Sequence, residues 1–197
     1  VLAQTNVYED GTEERTYPYA NIFSHVVGYD SNGKSGLESE ANFLLLTSHE
    51  FFLNQMKNEF KNQKNMGDTV VSTLNADLQT TAYQALGDRR GAVVAIEPST
   101  GKILVEVSKP DFDPSTIAQN WEALVNDQND SSLLNRATNG AYPPGSVFKI
   151  VTALDYFRTR GTLEDFSYLC EGGITKEGHT IRCYGGEVHG QEDFYSA

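Results

Sequence analysis

The stretch that most constrains this 197-residue chain is Tyr142-Pro143-Pro144-Gly145-Ser146-Val147-Phe148-Lys149. Two prolines fix φ and a glycine permits a sharp bend, so the chain must turn abruptly there, and an apolar-periodic run follows at once. The pattern predicts a helix whose first turn carries Ser146. Residues three apart are neighbours on a helix, which sets the Lys149 amine beside the Ser146 hydroxyl. Val147, Ile150, Val151 and Leu154 fall on an adjoining face suited to docking into a core, leaving the Ser146 and Lys149 edge free to line a cleft. A serine hydroxyl attacks only when a base takes its proton, and a lysine serves when its charged form is disfavoured by burial, a nearby cation or a helix N-terminus. A bare Ser-x-x-Lys also occurs by chance on solvated helices, so its surroundings have to decide.

The composition, 39% hydrophobic and 21% charged, is that of a folded chain. A formal net charge of −12 speaks against nucleic acid or an anionic lipid surface as partner, since both are polyanions. No apolar run is long enough to span a bilayer and no basic-start signal peptide is present. The sequence opens on Val1-Leu2-Ala3 and stops at Tyr195-Ser196-Ala197 in what reads as mid-domain, so it is expected to be a piece of a longer, membrane-anchored protein.

Residues 1–67 are polar and loop-rich. Short strands and turns are expected at Val1-Leu2-Ala3, Arg15-Thr16-Tyr17-Pro18 and His25-Val26-Val27-Gly28-Tyr29, with a helix opening at Gly36-Leu37-Glu38. Glu50 to Lys64 is periodic in Phe51, Leu53, Met56 and Phe60, which predicts an amphipathic helix packed on a sheet. His25 and His49 lack neighbours at ligand spacing and read as surface or structural residues.

From Gly67 the pattern sharpens. Thr69 to Leu74 alternates as a strand does, and Asn75 is placed to cap a helix carrying Leu78, Ala82, Ala85 and Leu86. Gly91 to Glu97, a strand expected to be buried on both faces, and Lys102 to Ser108 flank Pro98-Ser99-Thr100-Gly101, an antiparallel hairpin. Asp111 and Asp113 lack the glycine and terminal glutamate of a calcium loop, so they read as turn caps. A helix is expected around Trp121, Leu124 and Val125, and Arg160-Gly161 as the C-terminal cap of the helix that starts near Ser146.

Cys170 and Cys183 flank a stretch with hairpin character. Paired strands would bring the thiols close enough for a disulfide, suited to an oxidising compartment, and two unpaired thiols are the equal alternative. A zinc site combining them with His179 and His189 lacks a short Cys-x-x-Cys, so no metal and no cofactor is expected.

Taken together, these segments resemble the class B penicillin-binding proteins from end to end. The Tyr142 to Lys149 segment is similar to their active-serine segment. Thr73-Leu74-Asn75-Ala76-Asp77-Leu78-Gln79 resembles the entry to the transpeptidase domain, with Asn75 where aspartate is common. Gly91 to Ser108 resembles its first hairpin, Phe112-Asp113-Pro114 the following loop, and Leu134-Asn135-Arg136-Ala137 the lead-in to the serine, with Ser132 where proline is usual.

The resemblance implies an α+β fold: a loop-rich, non-catalytic pedestal over 1–67, then over 68–197 the N-terminal part of a transpeptidase domain of the serine β-lactamase-like kind, with antiparallel sheet and helices. It implies Ser146 as acyl-accepting nucleophile and Lys149 as its base. The reaction would be D,D-transpeptidation of peptidoglycan stem peptides, stalled by β-lactams bound at Ser146. It also implies an upstream membrane anchor, an extracytoplasmic location and a membrane glycan polymerase as partner. The family's Ser-x-Asn motif and Lys-Thr-Gly strand are not found, so the chain alone is expected to be inactive. A class D β-lactamase or β-lactam sensor shares the tetrad but would not be expected to carry residues 1–67. A non-catalytic scaffold of the cell-wall machinery is a second alternative, and a surface adhesin with a chance tetrad explains neither the hairpin nor the lead-in.

Overall fold

The computed structural model describes residues 1–49, 52–60, 65 and 67–196. These fall into two compact units, Val1–Ala141 and Tyr142–Ala197, so residues 68–141 share a unit with the N-terminal segment. All sheets among the described residues are two-stranded and antiparallel, and with the helices they make the mixed α+β chain expected.

The first unit opens on a hairpin, β1 (Gln4–Val7) with β2 (Glu13–Thr16), in register from Gln4 opposite Thr16 to Val7 opposite Glu13. Its turn is held by Asp10, whose carboxylate accepts from the Thr12 N–H at 2.9 Å. Arg15 ties the hairpin to the rest: its guanidinium reaches Glu38 Oε1 at 2.7–2.8 Å, and that carboxylate is almost fully buried.

His25 to Val27 is not a strand. A 3-10 turn over Ala20–Phe23 runs straight into the helical turn α1 (Ser24–Val27), closed by the Gly28 N–H on the Ser24 carbonyl at 2.7 Å. α2 (Gly36–Glu40) starts where expected and α3 (Asn42–Leu46) follows. Gly28 adopts φ +83°, and a Cβ there would lie 1.9 Å from the Ser35 carbonyl oxygen, so only glycine lets the loop from 28 to 36 close on itself.

α4 (Phe52–Phe60) has the expected amphipathic pattern, yet Phe52, Leu53, Met56 and Phe60 are all exposed, and no sheet among the described residues covers them. Periodicity tells which face is apolar, not what lies on it. Glu50, Phe51 and residues 61–64 of that predicted helix lie outside the described residues.

Thr69 to Leu74 is extended but not a strand, because its ties to the neighbouring hairpin come only at its end: Thr73 Oγ1 to the Ile103 carbonyl at 2.7 Å and the Asn75 N–H to the Leu104 carbonyl at 2.9 Å. Asn75 caps α5 (Ala76–Leu86) by accepting from the N–H groups of Asp77 and Leu78, both at 3.0 Å.

β3 (Gly91–Glu97) and β4 (Lys102–Lys109) pair from Gly91 opposite Lys109 to Glu97 opposite Lys102, with a register shift after Ala95. Val105, Val107 and Ser108 of β4 are buried while Val94 and Ile96 of β3 are exposed, so β3 is covered on one face only. The apolar centre of the unit gathers Tyr17, Phe23 and Val27 with Leu2, Ile22 and Leu74 around them.

Gln79 of α5, fully buried, locks these parts together. Its amide donates to the carbonyls of Ile22 at 3.0 Å and Glu106 at 2.7 Å and accepts from the Glu106 N–H at 2.8 Å. Both amide hydrogens and the oxygen are used, so the backbone of β4 and of the 3-10 turn is satisfied inside the core by one side chain.

Beyond β4 the Lys109–Pro110 peptide is cis. Asp113 caps a 3-10 turn through the Ser115 N–H at 2.9 Å, the capping role expected of it, and α6 (Ile117–Asn126) follows. An edge-to-face aromatic chain runs from His25 through Phe112 and Tyr29 to Trp121, with centroids 5.1–5.7 Å apart.

Leu134 to Ala137 is strapped to β4 by side chains. The Arg136 N–H donates to Ser108 Oγ at 2.9 Å, Asn135 Nδ2 to Glu106 Oε1 at 2.9 Å, and Ser108 Oγ to the Leu134 carbonyl at 3.2 Å. The buried Arg136 guanidinium sits among the carbonyls of Asp130, Ser131 and Leu134.

Replacing Gln79 by Leu should cost about 2–4 kcal/mol, because it strips partners from three buried backbone groups. Chemical denaturation of the two proteins measures it. His25, buried and donating from Nε2 to the Pro110 carbonyl at 3.1 Å, is held by burial below its usual value of 6.5. Its neutral form is the one the fold prefers, so the stability it contributes is present above 6.5 and is lost as pH falls from there towards the lowered folded value. A His25→Gln variant should therefore lose less melting temperature than the parent between neutral and mildly acidic pH.

Candidate active site

The second unit begins with the Pro-Pro-Gly turn. Gly145 takes φ +54° and opens a 3-10 turn over Gly145–Phe148 that continues without a break into α7 (Lys149–Arg160). Ser146 thus lies in the 3-10 lead rather than in the α-helix proper. The Lys149 N–H donates to the Ser146 and Val147 carbonyls, so Ser146 and Lys149 close one helical turn and project on one side of it. Among the described residues no side-chain hydrogen bond joins Ser146 to Lys149, and both side chains are exposed. Gly161, at φ +76°, ends α7 with its N–H on the Phe157 carbonyl at 2.7 Å, the cap expected there.

The apolar face of α7 is a correction. Val147, Ile150, Val151 and Leu154 are each more than half exposed instead of docked. Ile150, Ala153, Leu154 and Phe157 line an open apolar groove of about 380 Å³ whose other wall is Leu163 and Phe194. Helical spacing identified the face, but within this unit there is too little apolar surface to cover it.

Two small sheets follow. β5 (Ser167–Cys170) pairs with β8 (Gly190–Asp193), and β6 (Gly173–Lys176) with β7 (His179–Arg182), which is the hairpin expected between the cysteines. Cys170 and Cys183 are free thiols with sulfurs 3.4 Å apart. Of the two histidines grouped with them in the sequence, His189 places Nδ1 3.4 Å from the Cys170 sulfur, while His179 sits at the far end of the β6–β7 hairpin opposite Lys176.

Hydrogen bonds from the backbone N–H groups of His189 and Gly172 pull the Cys170 thiol down to about 6. The same contact pushes Cys183 up, by its bond to Cys170, and raises His189. The positive charge of Lys149 is felt at Cys183.

His49, the surface residue expected, pairs through Nδ1 with Asp68, whose carboxyl is lowered by hydrogen bonds from the His49 backbone and ring. The sequence holds no Ser-x-Asn and no Lys-Thr-Gly. A Lys-Ser-Gly triplet does occur at Lys34-Ser35-Gly36, but it forms the turn into α2 and not a strand.

Comparison with known proteins identifies relatives of the chain. The family described as the penicillin binding protein transpeptidase domain matches residues 91–194, and that described as the penicillin binding protein A dimerisation domain matches residues 1–70. The peptidoglycan D,D-transpeptidase PbpA of Mycolicibacterium smegmatis is 39% identical over 154 residues, covering 70% of this chain and 31% of that protein. The peptidoglycan D,D-transpeptidase MrdA of Escherichia coli is 30% identical over 180 residues, covering 73% and 28%. Penicillin-binding protein A from Mycobacterium tuberculosis, solved as a ceftriaxone acyl-enzyme complex, superposes with a TM-score of 0.88 at 28% identity over 100% of this chain and 48% of that one. A D,D-transpeptidase domain from Eggerthella lenta gives 0.83 at 33% identity, covering 98% and 42%. The chain spans less than a third of the length of these curated relatives.

At Gly145 no atom lies within 4 Å of where a Cβ would be, so the only obstacle to a side chain is the backbone. Gly145→Ala should destabilise by about 1–2 kcal/mol through the left-handed conformation alone. Denaturant titration against the parent chain checks this.

Proposed function

The chain belongs to the class B penicillin-binding proteins, and on that footing we propose that the protein carrying it is an acyl-serine D,D-transpeptidase that cross-links peptidoglycan stem peptides. Ser146 is the nucleophile and Lys149 the base that takes its proton. The observation that carries the assignment is the Pro-Pro-Gly turn feeding a 3-10 lead into α7, which sets a serine and a lysine one turn apart on an open edge. Ser146 attacks the carbonyl of the terminal D-Ala-D-Ala amide, the C–N bond breaks, D-alanine leaves with the proton, and an amine from a second stem peptide resolves the acyl-serine into a cross-link. The Ser146 N–H, at the start of a helical run, is suited to face the developing oxyanion. A β-lactam enters the same path and halts at the acyl stage, as the acyl-enzyme complex of the mycobacterial relative illustrates.

Residues 1–67 act as a non-catalytic pedestal, and 68–197 belong to the transpeptidase domain; the family matches ending at 70 and starting at 91 support that division. Stem peptides lie outside the cytoplasmic membrane, so the domain works on that face. Among the described residues no helix is long and apolar enough to cross a membrane, and anchoring is assigned to sequence upstream. A membrane glycan polymerase is the partner that would supply strands to cross-link.

The 197 residues alone, incubated with a fluorescent penicillin, should label weakly, since Ser-x-Asn and Lys-Thr-Gly are absent from them. A longer protein that adds both motifs should label covalently, Ser146→Ala should remove the label, and Lys149→Ala should slow acylation by about 100-fold or more. Label that survives Ser146→Ala would overturn the assignment.

A further inference from the structure

The interior of the Tyr142–Ala197 unit is built around sulfur rather than hydrocarbon. Among its described residues only Cys170 and Gly172 are buried, while the apolar side chains of α7 face outward. The ligand atoms of Cys170, Cys183 and His189 all lie within 4.8 Å of one another, from three separate places in the chain: the end of β5, the residue after β7 and the residue before β8.

The backbone is shaped for this meeting. Each cysteine is followed by one residue and a glycine pair, Cys170-Glu171-Gly172-Gly173 and Cys183-Tyr184-Gly185-Gly186. Gly172, Gly185 and Gly186 take φ of +83°, +66° and +74°. A Cβ on Gly172 would stand 2.8 Å from the Gly186 carbonyl oxygen, and the Cys183 N–H donates to the Gly172 carbonyl at 3.1 Å, so the two Cys-x-Gly-Gly turns pack backbone against backbone. On His189, Nδ1 faces the sulfurs while Nε2 leans toward the Glu187 carboxylate at 3.9 Å, the outer partner that fixes a ligand imidazole in its tautomer.

We propose that Cys170, Cys183 and His189 form a binding site for a thiophilic divalent cation of the zinc type, with two thiolates and one imidazole as ligands and a fourth position open. A tetrahedral ion bound at about 2.3 Å from sulfur and about 2.0–2.1 Å from nitrogen sets neighbouring sulfurs about 3.8 Å apart and sulfur from nitrogen about 3.5 Å. The observed 3.4 Å separations need only a few tenths of an ångström of adjustment. Two thiolates balance the charge of the ion, and the soft donor set disfavours calcium and magnesium. The site staples β5, β7 and β8 to one another beside Lys149. His179, whose spacing had grouped it with this set, takes no part. The inference does not depend on acyl transfer.

The test uses the 197-residue chain, reduced with a non-thiol reductant, stripped by a chelator and titrated with Co(II). One cobalt per chain is expected, with intense sulfur-to-cobalt charge-transfer bands and the visible bands of a tetrahedral ion, displaced by Zn(II). Zinc should also protect both cysteines from alkylation and raise the melting temperature. Cys183→Ser and His189→Gln should each weaken binding by more than about 100-fold, the upper end of what loss of a mere outer partner costs, and His179→Gln should leave it unchanged. Absence of the charge-transfer bands, an octahedral spectrum, or binding that survives Cys183→Ser would overturn the proposal. The spectrum of the parent chain decides the matter even where a variant fails to fold.

Discussion

The first unit depends on a single amide. Gln79 bonds to α5's two neighbours at once, the 3-10 turn at Ile22 and the β4 backbone at Glu106. An apolar residue there would bury as well, but it would leave three backbone groups without partners in a place water does not reach. With the amide in place, α5 and the 3-10 turn are fixed against one face of β4.

From β4 the constraint passes along the chain. Asn135 and Arg136 tie the segment ahead of the Pro-Pro-Gly turn to Glu106 and Ser108 through side-chain bonds, and the Arg136 guanidinium is satisfied by carbonyl oxygens alone. The positive charge of Arg136 also adds to the cost of protonating His25.

Local chemistry was legible in the sequence wherever one residue decides the outcome. Asn75 as a cap, Gly161 as a helix terminator, Asp113 as a turn cap and Pro98 to Gly101 as a hairpin turn all act over a few residues, and all stand as read. The Ser146 and Lys149 turn belongs to the same class. What stayed hidden depends on distant partners. The alternation of Thr69 to Leu74 says nothing about whether a neighbouring strand is in reach, and Val26-Val27 favours a strand until Gly28 closes a helical turn. Gln79 looks like any solvated helix residue until the two carbonyls it serves are known. Likewise the sequence grouped both His179 and His189 with the two cysteines without separating them, and only the pairing of β5 with β8 brings His189 to Cys170.

The close approach of Gly28 to Ser35 divides the intervening loop into two kinds of position. At the neck, where Gly36 would also set a Cβ 2.5 Å from the Val26 carbonyl oxygen, backbone touches backbone and no side chain can be accommodated. At the tip, around Ser31 to Gly33, nothing crowds Gly33 and the residues are largely exposed. Drift and insertion are therefore tolerated at the tip without disturbing α1 or α2, which makes it the natural point for attaching a probe or an affinity tag.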